Sequence, residues 1–164
     1  EENISEKRIP LVEEIIESTN KLSFDEVKKA AKKNPDKPFF QNIKTKEEFQ
    51  MRNIISGIVA LAAGGDMDSS EASNQIIKYA SKGLKINPNS IYLLQMRGRS
   101  HGDIGSFKEG LRDLNKAIKL KSYYTDAFVE RGYIKQKMGD QKGANEDYTE
   151  ARNIEPGIII PAGN

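Results

Sequence analysis

Apolar residues recur along this chain at helical spacing, and the polar stretches between them carry helix start and stop signals at short intervals. Ile9, Val12, Ile15, Ile16 and Thr19, with Glu13, Glu14 and Glu17 between them, predict an amphipathic first helix. Ser23-Phe24-Asp25-Glu26 has the form of a capping box, in which a serine oxygen and a glutamate carboxylate satisfy amides left open at a helix start. The short helix that follows stops at Asn34-Pro35, and residues 35–44, with a second proline at Pro38, read as a linker. Thr45-Lys46-Glu47-Glu48 repeats the box and predicts a helix as far as Gly64-Gly65. Further helices start at Asp68, Asn89-Ser90, Ser106, Thr125-Asp126 and Asp140. They stop at Asn87-Pro88, near Gly105, near Lys121-Ser122, at Gly139 and at Pro156-Gly157. No alternating apolar run of strand length interrupts them, so the class is all-α.

The second half repeats. Arg97-Gly98 recurs as Arg131-Gly132, and Gly105, Lys108, Asp113 and Ala117 recur as Gly139, Lys142, Asp147 and Ala151, at a step of about 34 residues. The same step backwards lands on Gly64 and Gly83, and Pro88 stands two steps before Pro156. Residues 57–90, 91–124 and 125–158 thereby divide into three units.

These units resemble tetratricopeptide repeats. The resemblance implies a right-handed superhelical α-solenoid of three helix-turn-helix repeats, with an N-terminal helical pair in front of it. Residues 1–44 are then a cap and linker, 45–158 the solenoid and 159–164 an apolar tail. Close helix packing needs small residues, and Gly64, Gly98 and Gly132 are expected midway along the first helices, with Gly83, Gly110, Ala117, Ala144 and Ala151 on the second. Leu94, Leu114, Leu120, Phe128, Tyr148 and Ile154 fill the family's core positions, and Pro88 and Pro156 its turn-closing proline. The first unit departs most from the pattern, with Ala60 and Ala63 where bulk is preferred and Ile76 where alanine is. Arg97 and Arg131 replace an apolar residue, and each is followed at the same interval by an aspartate, Asp113 or Asp147. The recurrence points to a structural pair, within one repeat or from Arg131 across to Asp113.

In that family the first helices line a concave groove that holds peptides. Carried over by position, the groove here consists of Tyr92, Gln95, Met96, Arg99, Glu130, Tyr133, Gln136 and Lys137, flanked by Asp103, Asp126 and Val129. One subclass grips a C-terminal carboxylate with a lysine, asparagine and arginine clamp. Leu61 and Gly65 stand where two of those residues belong, which disfavours chaperone tails of that kind. The resemblance makes the chain a non-enzymatic protein-interaction module, an adaptor or assembly factor whose partner is an unidentified protein or peptide. The alternatives are a structural subunit that self-associates weakly through the solenoid end or the Ile158-Ile160 tail, and a regulatory or targeting portion of a larger enzyme or complex.

Composition narrows this reading mainly by exclusion. Lys+Arg at 26 nearly cancels Asp+Glu at 24, and the Lys28, Lys29, Lys32, Lys33 stripe lacks interleaved aromatics, so nucleic acid is not an expected partner. The apolar stretch from Ile54 to Ala63 falls short of a membrane span. Cysteine is absent, and His101, the one histidine, falls at a core-facing repeat position and makes a poor general base. Asp66-Met67-Asp68-Ser69-Ser70 starts like a calcium loop, but Glu71 replaces the glycine and Ile77 the bidentate glutamate. No catalytic group, metal or cofactor is expected. The chain begins Glu1-Glu2 without methionine, which is compatible with a removed signal, anchor or domain and leaves localisation open.

Overall fold

Capping side chains, Ser23, Thr45, Asp68 and Asp140, open several of the helices. The computed structural model describes residues 12–18, 20–21 and 23–160; Ile9 and Thr19 of the expected first helix and residues 161–164 of the tail lie outside them. Residues 12–18 are helical. Seven further helices follow: α1 (Phe24–Lys33), α2 (Lys46–Ala63), α3 (Ser69–Ile86), α4 (Ile91–Asp103), α5 (Phe107–Leu120), α6 (Thr125–Lys137) and α7 (Gln141–Ile154). Among the described residues there is no strand. The chain divides into two units, unit 1 through Leu93 and unit 2 from Leu94, so the change of unit falls inside α4.

In unit 1, Ser23 and Glu26 close the expected box at the start of α1. The Glu26 amide donates to Ser23 Oγ (3.3 Å) and the Ser23 amide to Glu26 Oε2 (2.9 Å). At α2 only half of the second box forms. Thr45 Oγ1 accepts from the Glu48 amide at 3.1 Å, but the Glu48 carboxylate turns inward, towards Arg52 and Asn87. Beyond Gly64, the cap of α2, stands Gly65, whose φ of +81° is favoured by glycine. The Asp66 amide returns to the Leu61 carbonyl (2.9 Å) and the Gly65 amide to that of Ala62 (3.2 Å). Ile54, Ile55 and Ile58 of α2 and Ile76, Ala80 and Leu84 of α3 form the core, and a Cβ on Gly57 would collide with the Ile15 side chain of the 12–18 helix.

The expected linker is anchored in this unit. Arg52 Nη1 donates to the carbonyls of Phe39 (2.7 Å) and Gln41 (2.9 Å), while Arg52 Nε and Nη2 bind Glu48 Oε1 within α2. Nη2 also reaches Ser90 Oγ at 3.0 Å, and Asn87 Nδ2 donates to Glu48 Oε1 (3.1 Å) and to the Asn42 carbonyl (2.8 Å). Arg52 and Glu48 are both fully buried.

In unit 2 the hairpins are antiparallel and tightly apposed. A Cβ on Gly98 would lie 2.8 Å from Leu114 Cγ and 3.1 Å from the Gly110 carbonyl oxygen, and one on Gly132 would lie 2.6 Å from the Tyr148 ring. α4 and α6 both close on a glycine at positive φ, Gly105 and Gly139. These helices have 13 residues and their partners α5 and α7 have 14, whereas α2 and α3 have 18 each. The backward step of about 34 residues therefore keeps register at the ends of the second helices and loses it at the first. The boundary expected at Gly57 falls inside α2, and Gly64 is the exposed cap of that helix instead of a packing glycine midway along it. Leu120, expected in the core, is 43% exposed.

Candidate protein-interaction face

α4 and α6 carry two sets of polar groups with different roles. Arg97 and Arg131 hold their own hairpins together. Arg97 Nε and Nη2 donate to the two carboxylate oxygens of Asp113 at 2.6 and 2.9 Å, and Arg131 binds Asp147 in the same bidentate way at 2.9 and 2.6 Å. The pairs fall within one repeat. Arg131 Nη1 also donates to Asn115 Oδ1 of α5 (2.7 Å), and Lys135 Nζ lies 2.9 Å from Asp147. Pinned in this way, these arginines are not offered to a ligand.

The second set is on the other side of the same helices. Arg99 lies 3.5 Å from Glu130 and 3.9 Å from Asp103. Lys137 Nζ stands 4.6 Å from the Tyr133 ring centre and 3.5 Å from the Gly102 carbonyl oxygen. Three carboxyls around this cluster are held above their ordinary range. Burial pushes Glu130 up to about 7 despite the opposing Arg99 guanidinium, and burial raises Asp103 and Asp126 as well. Partly dried carboxylates beside an exposed arginine and an aromatic ring make a face able to exchange hydrogen bonds and ion pairs with an incoming chain.

The expected groove residues separate by environment. Arg99 and Lys137 are exposed, and Glu130, Tyr133 and Gln136 are half-buried. Gln95 and Met96 are buried; Gln95 Oε1 accepts from the Tyr124 hydroxyl at 3.1 Å, and Gln136 Oε1 from the Tyr148 hydroxyl at 2.9 Å. Tyr92 belongs to unit 1, where its ring packs edge-on against Phe39 at 5.1 Å. The structural positions Gly98, Gly132, Ala117 and Ala151 are buried, and Pro88 and Pro156 each follow directly on a C-cap, Asn87 or Glu155. His101 is half-buried, and burial lowers its pKa. Sequence reasoning missed the buried network of Glu48, Arg52, Asn87 and Ser90. Glu48 and Arg52 stand one helical turn apart, a spacing shared with ordinary surface pairs, so nothing local marked them as buried.

Among the described residues no helix is long and apolar enough to cross a membrane. No protein-family model matches the chain. It is 26% identical over 129 residues to Hsp70-Hsp90 organizing protein 3 of Arabidopsis thaliana, covering 76% of this chain and 23% of that protein. It is 24% identical over 93 residues to the Hsp70-Hsp90 organizing protein of Triticum aestivum, covering 57% of this chain and 16% of that one. The chain thus spans less than a quarter of the length of these curated relatives. With helix pairs recurring at about 34 residues, these similarities support a tetratricopeptide-like helical repeat.

Proposed function

We propose that this chain is a non-enzymatic protein-interaction module, an adaptor or assembly factor that holds a peptide or protein segment against the α4–α6 face of unit 2. The observation that carries this reading is the cluster of Arg99, Glu130, Asp103 and Tyr133. Its ionisable groups are partly dried yet remain open to solvent on one side, whereas the arginines facing the other way are used up in pinning the hairpins. Dried polar groups and aromatic rings concentrate binding energy at interfaces.

The names of the relatives tie them to Hsp70 and Hsp90, which makes a co-chaperone adaptor role the first specific candidate.

The test compares partners recovered by the unmodified chain and by an Arg99→Ala, Tyr133→Ala double variant. A Lys108→Ala, Arg112→Ala variant, altered at exposed α5 residues, serves as control. Loss of one set of proteins with the first variant alone supports the assignment. Identical recovery with all three chains overturns it.

A further inference from the structure

Residues 34–44 are held in unit 1 in the way a protein holds a foreign peptide. Within the segment the backbone bonds are local turns, Lys37 to Asn34 (3.3 Å), Phe40 to Lys37 (2.9 Å) and Gln41 to Pro38 (3.2 Å). Its attachment to the helices comes from their side chains. Arg52 takes the carbonyls of Phe39 and Gln41, Asn87 takes that of Asn42, and Glu48 Oε2 accepts the Lys44 amide at 2.7 Å. Phe39 supplies the anchor, its ring edge-on to Phe49 at 5.9 Å and to Tyr92 at 5.1 Å. Side-chain donors to main-chain carbonyls, with a slot for one aromatic ring, are the elements of peptide capture.

We propose that residues 35–42 are an internal ligand, seated in a second peptide site formed by Arg52, Asn87, Phe49 and Tyr92, and that a partner segment with a proline followed by aromatic residues competes for this site. Two features make the exchange feasible. The Arg52 charge stays paired with Glu48 on its own helix and bonded to Ser90 when the segment leaves, and the N–H groups freed from the Phe39 and Gln41 carbonyls are offered to water or to the carbonyls of an incoming peptide. Asn42 is held at a φ of +54°, a left-handed conformation that residues other than glycine adopt at a cost, and release removes that cost. Tyr92 was expected to face an outside ligand; here the chain's own Phe39 takes that place.

The test uses a fluorescein-labelled synthetic peptide of residues 34–44 and the full chain, read by anisotropy. In the unmodified chain the tethered segment has a high effective concentration and excludes the added peptide. A Phe39→Ala, Phe40→Ala variant is expected to bind it at least about tenfold more tightly than the unmodified chain does, and a peptide carrying the same two alanines is expected to lose that gain. A folded variant that binds no better overturns the proposal.

Native-state hydrogen exchange on the unmodified chain covers the case of a variant that does not fold. The Phe40, Gln41 and Lys44 amides are expected to exchange through a urea-independent local opening, at least about tenfold faster than the slowest α2 amides. A single rate and a single urea dependence for both sets overturn the proposal. Peptide binding by the Phe39→Ala, Phe40→Ala variant should be indifferent to added Arg99→Ala and Tyr133→Ala changes, so this result stands apart from the unit 2 reading.

Discussion

Both units rely on arginine–carboxylate pairs, and they differ in how much water the pairs keep. In unit 2 the Arg97 and Arg131 side chains stay 19% exposed while Asp113 and Asp147 are 3% and 4% exposed. One edge of each guanidinium remains wet, which limits the desolvation cost, and the bidentate geometry pins one hairpin per pair. In unit 1 both Arg52 and Glu48 are completely dried. Removing two ions from water costs several kcal/mol each, in round figures, and their attraction offsets this only when further hydrogen bonds satisfy the remaining donors and acceptors. Arg52 meets that condition by gathering carbonyls from the 38–41 turn, and Glu48 by taking Asn87 and the Lys44 amide. The same chemistry is a repeated pin in one unit and a hub for an irregular segment in the other.

The largest expected effect breaks that hub. Arg52→Met leaves Glu48 buried without its counter-charge, and a loss of about 3–5 kcal/mol is expected in urea unfolding. Hydrogen exchange should place the loss among the amides of residues 34–44 and α2. The matched change in unit 2, Arg97→Met, strands Asp113 beside open solvent, and a smaller loss of about 1–3 kcal/mol is expected. Equal losses at the two sites would mean that the difference in exposure has no energetic weight.

Gly110→Ala probes the contact on which the unit 2 hairpins depend. The added methyl would lie 2.8 Å from the Gly98 carbonyl oxygen and 2.7 Å from Ile134 Cδ1. Backbone on one side cannot give way, so overpacking of about 2 kcal/mol should exceed the roughly 1 kcal/mol that alanine gains over glycine in a helix. A stability unchanged in urea titration would show that the α4–α5 approach is looser than these distances.

Much of this was legible in the sequence because it is local. Capping residues such as Ser23 and Asp140, and stop glycines such as Gly105 and Gly139, act on their own backbone neighbours, and the Arg-Gly recurrence reports a packing need that repeats with the helices. The recurrence of Arg97 and Arg131 with Asp113 and Asp147 points to structural pairs but leaves open whether Arg131 meets Asp147 or Asp113; the bidentate contacts fall within one repeat. Burial was harder to read. Gln95 and Met96 have groove-facing register, yet tyrosine neighbours and helix packing dry them, and Tyr92 is taken by a phenylalanine from more than fifty residues earlier. Gly64 misled because a glycine that stops a helix and a glycine that admits a neighbouring helix look alike in a repeat; α2 and α3 are longer than their counterparts, so the step back of about 34 residues fell short of the packing position.

A pH-dependent effect of similar small size concerns Glu130, which separates the open face of unit 2 from its structural pins. Folded Glu130 titrates at about 7 against an ordinary value of 4.5, because burial outweighs the pull of Arg99. Between those two values the folded chain keeps a proton that the unfolded chain has released. The unfolded state then binds fewer protons, so this group makes stability fall as pH rises from about 4.5 to about 7, after which its contribution is flat. Glu130→Gln removes the charge while keeping the shape. It is expected to leave stability unchanged near pH 4 and to raise it by ~1–2 kcal/mol at pH 8, read by urea unfolding across the range. Arg99→Ala should act in the opposite direction above pH 7, because it removes a guanidinium that tempers the charge. A Gln variant equal to the unmodified chain at both ends would mean that Arg99 fully compensates Glu130, and the face would then be a closed ion pair instead of one with charge held ready for a partner.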